Sequence, residues 1–225
     1  MSNILIPTKS PEDWKAFLSE PDKQWKSGYS ARALAYCWEE ANGFPESVQL
    51  VFSKAGAPFY DLEPLLILPE YKVPLPGGQQ PSQNDIWVLA KSKNELVSMA
   101  VEGKVSEPFG PTLYEWMEQD SPGKRKRLEF LKNELCLNET IPKTIRYQLL
   151  HRTASAIIEA KRFNAAHAVI MVHSFSQTHE WFDDYSKFLG LFNLRGAPNL
   201  ISSMSMSNLE LHFAWIQGEE RYLSI

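Results

Sequence analysis

The chain has 225 residues, of which 44% are hydrophobic and 22% charged, and its formal net charge is −4. This composition is that of an ordinary globular protein with a substantial core, and the length predicts one domain over residues 1–225. The mild acidity is not typical of a nucleic-acid-binding protein, but it does not exclude one, because a local basic strip suffices for binding.

Short sequence signals exclude several other classes. The two cysteines, Cys37 and Cys136, have neither disulfide nor metal-ligand spacing, which excludes a cysteine-bound zinc and predicts thiols in a reducing compartment. The chain has no glycine-rich dinucleotide motif and no P-loop. It also lacks a signal-peptide pattern and a run of about 18 apolar residues, so we expect a cytoplasmic protein without a membrane span.

The N-terminal part is predicted to be mainly helical after a short strand or arm at residues 4–7. Ser10, followed by proline and two acids, has the composition of a helix start, and Pro21 is expected to end that helix. The predicted helices of this part span residues 11–20, 30–42 and 45–56. Glu39 and Glu40 fall in the last turn of the second helix, where two acids are usually solvated.

The most informative stretch is SQNDIWVLAKSKNELVSMAVEGKV, at residues 82–105. Two apolar, β-branched-rich runs flank a polar link at 91–95, a pattern typical of a β-hairpin. An apolar run at 65–68 is predicted to be the preceding strand, and the residues rich in proline and glycine at 74–81 the loop between them. Glu70, close to the end of that preceding strand, is either a further acid for a site or a loop carboxylate.

The hairpin predicts a cluster of charges at its open end. If Ala90 pairs with Val97, Asp85 lies directly opposite Glu102, and Lys104 shares the face of Glu102. Two facing carboxylates repel each other, and Mg²⁺, which prefers hard oxygen ligands, removes that repulsion. A lysine beside such a site orients a water or offsets charge on a phosphate. The alternative is an exposed strand end with ordinary surface charges.

Helices are predicted next at residues 112–119, 122–137 and 145–163. The four consecutive basic residues at 124–127 are candidates for phosphate contacts, and a solvated basic run is the alternative. The third helix is apolar around most of its circumference, so the polar strip that contains Gln148 and Arg152 is expected to meet partners or a cleft. Arg152 suits a phosphate through bidentate hydrogen bonds, and an ion pair with a nearby acid is the alternative.

The last part of the chain begins with AVIMV at 168–172, a continuous apolar run that predicts a strand buried on both faces. The elements predicted after it are a helix at 181–192, a serine-rich loop at 198–208, a strand at 209–217 and a short edge piece at 222–225. His167, His173 and His179 lack a convincing metal-ligand spacing, so we expect hydrogen-bonded structural histidines, and the alternative is that one of them reaches the site.

An Asp, a gap of about one hairpin and then Glu-x-Lys resembles the PD-(D/E)XK nuclease superfamily, also called restriction-endonuclease-like. The matching residues are Asp85, Glu102 and Lys104, and Asn84 stands where the superfamily nominally has proline. The resemblance covers about residues 63–174. It implies an α/β protein with a three-layer αβββαβ core, to which this chain adds N-terminal helices and a C-terminal helix–strand extension.

The resemblance also implies roles for individual residues. Asp85 and Glu102 would be the metal ligands for Mg²⁺ or Mn²⁺, and together with Lys104 they would be the catalytic residues. Gln148 and Arg152 would bind the substrate, although one branch of the superfamily has an aromatic residue where Arg152 stands, which leaves the branch open.

An extra acid is also implied, because the superfamily often takes one from the helix before the first core strand. Glu39 or Glu40 would then supply it.

Two functions follow as hypotheses. The first is a metal-dependent endo- or exonuclease that hydrolyses phosphodiester bonds in DNA or RNA, with nucleic acid as partner; whether it forms a homodimer is open. The second is a non-catalytic interaction module on the same α/β core, in which Asp85, Glu102 and Lys104 form only a salt-bridge cluster. A hydrolase of small molecules that uses His173 or His179 lacks a recognisable nucleophile set.

Overall fold

The computed structural model describes residues 8–225, and within them one six-stranded sheet has the order β1-β2-β3-β4-β6-β5. The strands are β1 (Glu63–Val73), β2 (Ser82–Ser92), β3 (Glu95–Lys104), β4 (His167–Ser174), β5 (Ile201–Ser205) and β6 (Glu210–Gln217). The β1–β2, β2–β3 and β5–β6 pairs are antiparallel, and β3, β4 and β6 run parallel. The strand or arm predicted at 4–7 lies outside the described residues.

Helices cover both faces of this sheet. They are α1 (Pro21–Gln24), α2 (Ser30–Ala41), α3 (Glu46–Lys54), α4 (Leu113–Met117), α5 (Pro122–Glu134), α6 (Tyr147–Arg162) and α7 (Phe182–Gly190). Ile170 of β4 packs in the core formed with α5, α6 and α7, whereas its neighbour Met171 packs in the core formed with α2 and α3. All eight residues of β4 are buried, which confirms the strand predicted to be buried on both faces. The protein is therefore of the α/β class.

Within residues 8–225, no helix is both long and apolar enough to cross a membrane.

The hairpin forms in the predicted register. Ala90 pairs with Val97, and the ladder continues to Ile86 opposite Val101, so that Asp85 and Glu102 are the next positions along it. The predicted five-residue link was too long, because pairing extends to Ser92 opposite Glu95. The side chain of Ser92 is buried and donates a hydrogen bond to Asp61, which fixes the end of β2 to the segment that precedes β1.

Several boundaries at the sheet edges differ from the prediction. The strand predicted at 65–68 extends over all of β1, and its Pro64 and Pro69 are tolerated because β1 lies at a sheet edge. The serine-rich segment predicted as a loop contains β5. The edge piece predicted at 222–225 is instead a 3₁₀ helix, Glu220–Leu223. For β1 and β5, tertiary pairing rather than local composition decides the structure.

The N-terminal helix also differs. Residues Pro11–Phe17 form a 3₁₀ helix, and Pro21 begins α1 instead of ending the preceding helix. Proline is well suited to the first helical position, where its missing N–H would have no partner within the helix.

The basic run at 124–127 is partly structural. Arg127 is buried in α5 and donates hydrogen bonds to the carbonyl oxygens of Leu75, Pro76 and Gly78. Lys124 likewise donates to the carbonyl oxygen of Trp116. These two cations therefore hold loops in place, so the run is not wholly solvated, and a phosphate contact by its other members stays a prediction.

Candidate active site

The open end of the β2–β3 hairpin faces a cleft of about 460 Å³. The charged and amide side chains that line it include Glu70 from β1, Asp85 from β2, Glu102 and Lys104 from β3, and Gln148 and Arg152 from α6, together with Lys23, Gln24, Gln83 and Glu107. The start of α2, at Ser30 and Ala31, closes the opposite side. The structure therefore brings together the five residues predicted as catalytic or substrate-binding, and adds Glu70 to them.

The carboxylate of Asp85, on the first strand of the hairpin, is held in place by the second strand. The backbone N–H of Gly103 donates a hydrogen bond of 2.8 Å to Oδ2, and Arg152 Nη2 lies 4.0 Å from Oδ1. Its side chain keeps 23% of its surface exposed toward the cleft. Burial, followed by repulsion from Glu102, raises the pKa of Asp85 to about 7.

Glu102 is the best-satisfied acid of the cleft. Its Oε1 accepts hydrogen bonds from Lys104 Nζ at 2.7 Å and Gln148 Nε2 at 2.6 Å, and its Oε2 accepts one from Arg152 Nε at 2.6 Å. Burial alone would raise the pKa of Glu102, but the charges of Arg152 and Lys104 outweigh it and lower that pKa. Glu102 therefore carries a negative charge in the buried part of the cleft.

Glu70 enters the cleft through an unusual backbone conformation. Its φ of 52° is left-handed, although it lies inside β1 between Pro69 and Tyr71, which pair with Ile86 and Asn84. Its Oε2 accepts a hydrogen bond of 2.6 Å from Gln83 Nε2. Burial and the neighbouring Asp85 raise the pKa of Glu70 to about 8. Of the two interpretations of Glu70, the structure supports an acid at the site.

Gln148 and Arg152 lie one turn apart on α6 and both bind Glu102, as the polar strip of that helix predicted. Arg152 also donates to Ser82 Oγ at 3.3 Å. The Oε1 of Gln148 is buried and has no hydrogen-bond partner among the described residues, which leaves one acceptor beside Glu102 for a water or a ligand.

Glu40 does not reach the cleft, so the prediction of an extra acid from this helix was wrong. Its Oε2 accepts a hydrogen bond from Tyr222, and its Oε1 lies 3.0 Å from Arg221. Glu39 instead accepts a hydrogen bond from Trp14. The reason is the direction of α2, which begins at the cleft with Ser30 and carries Glu40 about 15 Å away along its axis.

Sequence reasoning missed two contributors to the cleft. Gln83 shares a strand face with Asp85, a period-two signal that was available in the sequence. The backbone N–H of Gly103, which binds Asp85, gives no signal in side-chain patterns.

The cleft offers oxygen ligands, but among residues 8–225 the three side chains whose ligand atoms lie within 4.8 Å of one another are His167, Glu210 and His212 rather than the acids of the cleft. Glu70, Asp85 and Glu102 offer carboxylate oxygens, the ligand type that Mg²⁺ and Mn²⁺ prefer. Burial is the main cause of the raised pKa values of Asp85 and Glu70, and repulsion from a neighbouring acid adds to it.

The three histidines that were expected to be hydrogen-bonded structural residues differ in their surroundings. The Nδ1 of His179 is buried and has no hydrogen-bond partner among the described residues. His173 is fully buried, and its Nδ1 accepts a hydrogen bond of 3.2 Å from Trp38 Nε1. His167, by contrast, lies beside His212 and Glu210 at a separate position of the sheet. Sequence spacing did not indicate this second cluster.

The fold and the cleft define a class: an α/β protein whose sheet brings acids and bases into one buried site. The chain belongs to the family described as a domain of unknown function, DUF6946, whose model matches residues 7–220. No curated protein and no solved structure gives a significant match. The family description states no activity, so the function has to be argued from the cleft itself.

Proposed function

We propose that the protein is a metal-dependent nuclease that hydrolyses phosphodiester bonds in DNA or RNA. The observation that carries this proposal is the convergence of Asp85 and Glu102, with Lys104 beside them, at the end of one hairpin. Asp85, Glu102 and Glu70 would hold Mg²⁺ or Mn²⁺. The ion, when bound, supplies a Lewis acid that polarises the phosphate and lowers the pKa of a bound water.

The topology supports the restriction-endonuclease-like resemblance. The antiparallel strands β1, β2 and β3 are followed by α6 and then by β4, which is parallel to β3. With α2 ahead of β1, these elements are compatible with the αβββαβ order of the resembled core, with α3 inserted before β1 and α4 and α5 inserted before α6. Asp85 and Glu102 lie on β2 and β3, the two strands on which the resemblance predicts them, whereas Glu70 lies on β1.

The basic and amide groups of the cleft suit contacts with the phosphate of the substrate during hydrolysis. Lys104 and Arg152 are buried cations that now share Glu102, and both would offset charge on the phosphate oxygens. Lys104 Nζ also lies 5.0 Å from the ring centroid of Phe109, which restricts where the ammonium can move. Gln148 would orient the attacking water through its unpartnered Oε1.

The net reaction adds one water across a phosphorus–oxygen bond. The water oxygen forms the new bond to phosphorus, the bond to the sugar oxygen breaks, and that leaving oxygen takes a proton. Positioning and charge stabilisation, rather than covalent participation of the protein, supply the rate enhancement.

The test is a cleavage assay on single- and double-stranded DNA and RNA with Mg²⁺ or Mn²⁺. Asp85→Asn, Glu102→Gln and Lys104→Ala are each expected to reduce cleavage by about 100-fold or more. Glu40→Gln is the matched control, because its carboxylate lies outside the cleft. Undiminished cleavage by folded Glu102→Gln and Lys104→Ala proteins would refute the assignment.

One observation favours the second candidate, a non-catalytic interaction module. Glu102 already accepts three hydrogen bonds, as a purely structural link between the hairpin and α6 would. In that case Glu102→Gln lowers the melting temperature, and neither Mg²⁺ nor Mn²⁺ binds at Asp85. Calorimetric titration of the intact protein and of Asp85→Asn, with and without a nucleic acid, separates the two functions.

A further inference from the structure

A second cluster of ligand-type side chains lies at the other end of the sheet. The cleft is found where β3 ends, whereas His167 is the first residue of β4 and Glu210 the first of β6. His167 pairs with Glu210 across these parallel strands, and His212 lies two residues further along β6 on the same face. Strand register, rather than sequence spacing, therefore assembles two imidazoles and a carboxylate.

We propose that this cluster is a transition-metal site that binds Zn²⁺. His167 Nδ1 lies 3.0 Å from His212 Nε2, and Glu210 Oε2 lies 4.0 Å from the same His212 nitrogen. Two nitrogens that bind one tetrahedral zinc are about 3.3 Å apart, since each Zn–N bond is about 2.0–2.1 Å. The imidazole pair is thus within a few tenths of an ångström of the required separation.

The remaining ring nitrogens have the partners that a metal-bound histidine needs. His212 Nδ1 lies 2.7 Å from Ser203 Oγ, and His167 Nε2 lies 3.3 Å from Glu95 Oε2. When both outer nitrogens donate to these oxygens, the two inner nitrogens carry only lone pairs, which face each other across the site. A cation between them removes that repulsion, and the outer partners fix the tautomers that ligation requires.

The cluster is accessible to an ion and to a further ligand. His212 and Glu210 border a cavity of about 270 Å³, which Ser203 and Phe59 also line. The imidazoles are almost wholly buried, whereas 52% of the Glu210 side chain is exposed. A rotamer change of that exposed carboxylate is enough to shorten its distance to the ion. Two histidines and one glutamate leave a fourth coordination position for water on the cavity side.

The ligand chemistry separates this site from the acidic cleft. Imidazole nitrogens favour Zn²⁺ and its neighbours in the transition series, whereas the all-oxygen cleft favours Mg²⁺ or Mn²⁺. The zinc site does not depend on the proposed nuclease activity.

The experiment is a Zn²⁺ titration in competition with a chromophoric chelator, on protein in which Cys136→Ser removes the exposed thiol. We expect one tightly bound Zn²⁺, with an affinity that falls about 100-fold or more in His212→Gln and about 10-fold or more in Glu210→Gln. Glu63→Gln and His179→Asn are the matched controls and are expected to bind as the parent does. Asp85→Asn is also expected to leave Zn²⁺ binding unchanged.

A second measurement covers the case in which the buried His212→Gln variant fails to fold. Co²⁺ bound to the parent protein is expected to show the intense visible bands of a tetrahedral site, and Glu210→Gln, which alters a half-exposed side chain, is expected to change them. Absence of Zn²⁺ binding by the parent protein would refute the proposal. Unchanged affinity in folded Glu210→Gln and His212→Gln would also refute it, and would leave only a hydrogen-bonded relay from Ser203 to Glu95.

Discussion

Glu70 is the residue with the most strained backbone position in the cleft. A left-handed conformation costs a non-glycine residue about 1–3 kcal/mol, and such strain persists where the surrounding structure enforces it. Here the flanking pairs of β1 with β2 and the hydrogen bond from Gln83 enforce it. The consequence is a third carboxylate beside Asp85, at a cost in stability that an ordinary strand residue would not incur.

Asp85 is expected to destabilise the metal-free protein. The folded state raises its pKa from 3.8 to about 7, so it binds the proton more tightly than the unfolded chain does. The free energy of unfolding therefore falls as the pH rises from about 4 to about 7. We expect Asp85→Asn to raise the melting temperature at pH 8 in the presence of a chelator, and to raise it less at pH 5.

Scanning calorimetry at the two pH values measures this effect. Asp22→Asn serves as the control, because 97% of that side chain is exposed. A parent protein more stable than Asp85→Asn at pH 8 would contradict a raised pKa of Asp85 in the folded state.

The sequence was sufficient to predict the register of the hairpin, in which Asp85 and Glu102 follow the last observed pair, because a strand alternates with a fixed period and the two strands are adjacent along the chain. It was not sufficient for Glu70, whose direction depends on a left-handed backbone that no residue pattern announces. The placement of Glu40 failed for a related reason: the helix was predicted, but not which of its ends meets the cleft.

At the scale of elements, α5 is joined to the loop between β1 and β2 by a close backbone contact. Gly77 has a φ of 85°, and a Cβ at this position would collide with the carbonyl oxygen of Gly123. Gly28 has a similar φ of 80°, but a Cβ there would meet no atom within 4 Å. Substitution of Gly28 therefore tests backbone strain alone, whereas substitution of Gly77 tests backbone strain together with steric overlap.

We expect Gly28→Ala to lower the free energy of unfolding by about 1–2 kcal/mol, the cost of a left-handed alanine. Gly77→Ala is expected to lose about 1–3 kcal/mol more, because the collision adds to the same strain. Urea unfolding of both variants measures the difference. Equal losses would mean that the loop moves away from α5 without penalty.

His173 links β4 to the N-terminal helices and makes the fold sensitive to acid. Burial lowers its pKa from 6.5 to about 3, and Ser47 Oγ lies 3.2 Å from its Nε2. The unfolded chain takes up a proton below pH 6.5, whereas the folded protein does so only near pH 3. The stability contributed by the neutral ring is therefore complete above pH 6.5 and is lost as the pH falls.

For this single group the expected loss between pH 7 and pH 5 is about 2 kcal/mol. His173→Gln is expected to be less stable at pH 7, but to lose about 2 kcal/mol less than the parent between the two pH values. His179→Asn is the control in the same urea titrations. An identical pH dependence in His173→Gln and the parent would contradict a neutral buried ring.

The elements themselves were largely predictable where hydrophobic periodicity was strong, as in β4 and α6. β5 was not predictable, because three of its five residues are serine, which gives no strand pattern. Its pairing with β6 stabilises the strand instead. Edge strands depend on their neighbours, so a local pattern underestimates them.

At the scale of the whole molecule, the net charge of −4 and the acids that line the cleft oppose binding of a polyanion. If the proposed nuclease function is correct, nucleic-acid binding is expected to require a divalent cation. Fluorescence anisotropy with a labelled oligonucleotide is expected to show binding in Ca²⁺, which takes the same oxygen ligands, and none in chelator. Equal binding in both conditions would place the nucleic acid elsewhere on the surface.

The arrangement of the two sites could not be predicted from spacing along the chain. His167 and His212 are 45 residues apart, and their contact exists only because β4 and β6 are neighbouring parallel strands in one particular register. Parallel partners are joined by crossovers whose length does not encode register. The cleft, by contrast, was predictable in outline because β2 and β3 are joined directly.

The order of the elements has a consequence for synthesis on the ribosome. All ionisable residues of the acidic cleft have been synthesised once translation has passed Arg152. The proposed zinc cluster, by contrast, is complete only after His212 has been added. A nascent chain with β1, β2, β3 and α6 outside the exit tunnel already has the groups that bind Glu102. The edge of β3 that pairs with β4 has no partner strand until residues 167–174 leave the exit tunnel. The interval between these events is when an unpaired strand edge of this protein is most exposed to chaperones and to aggregation.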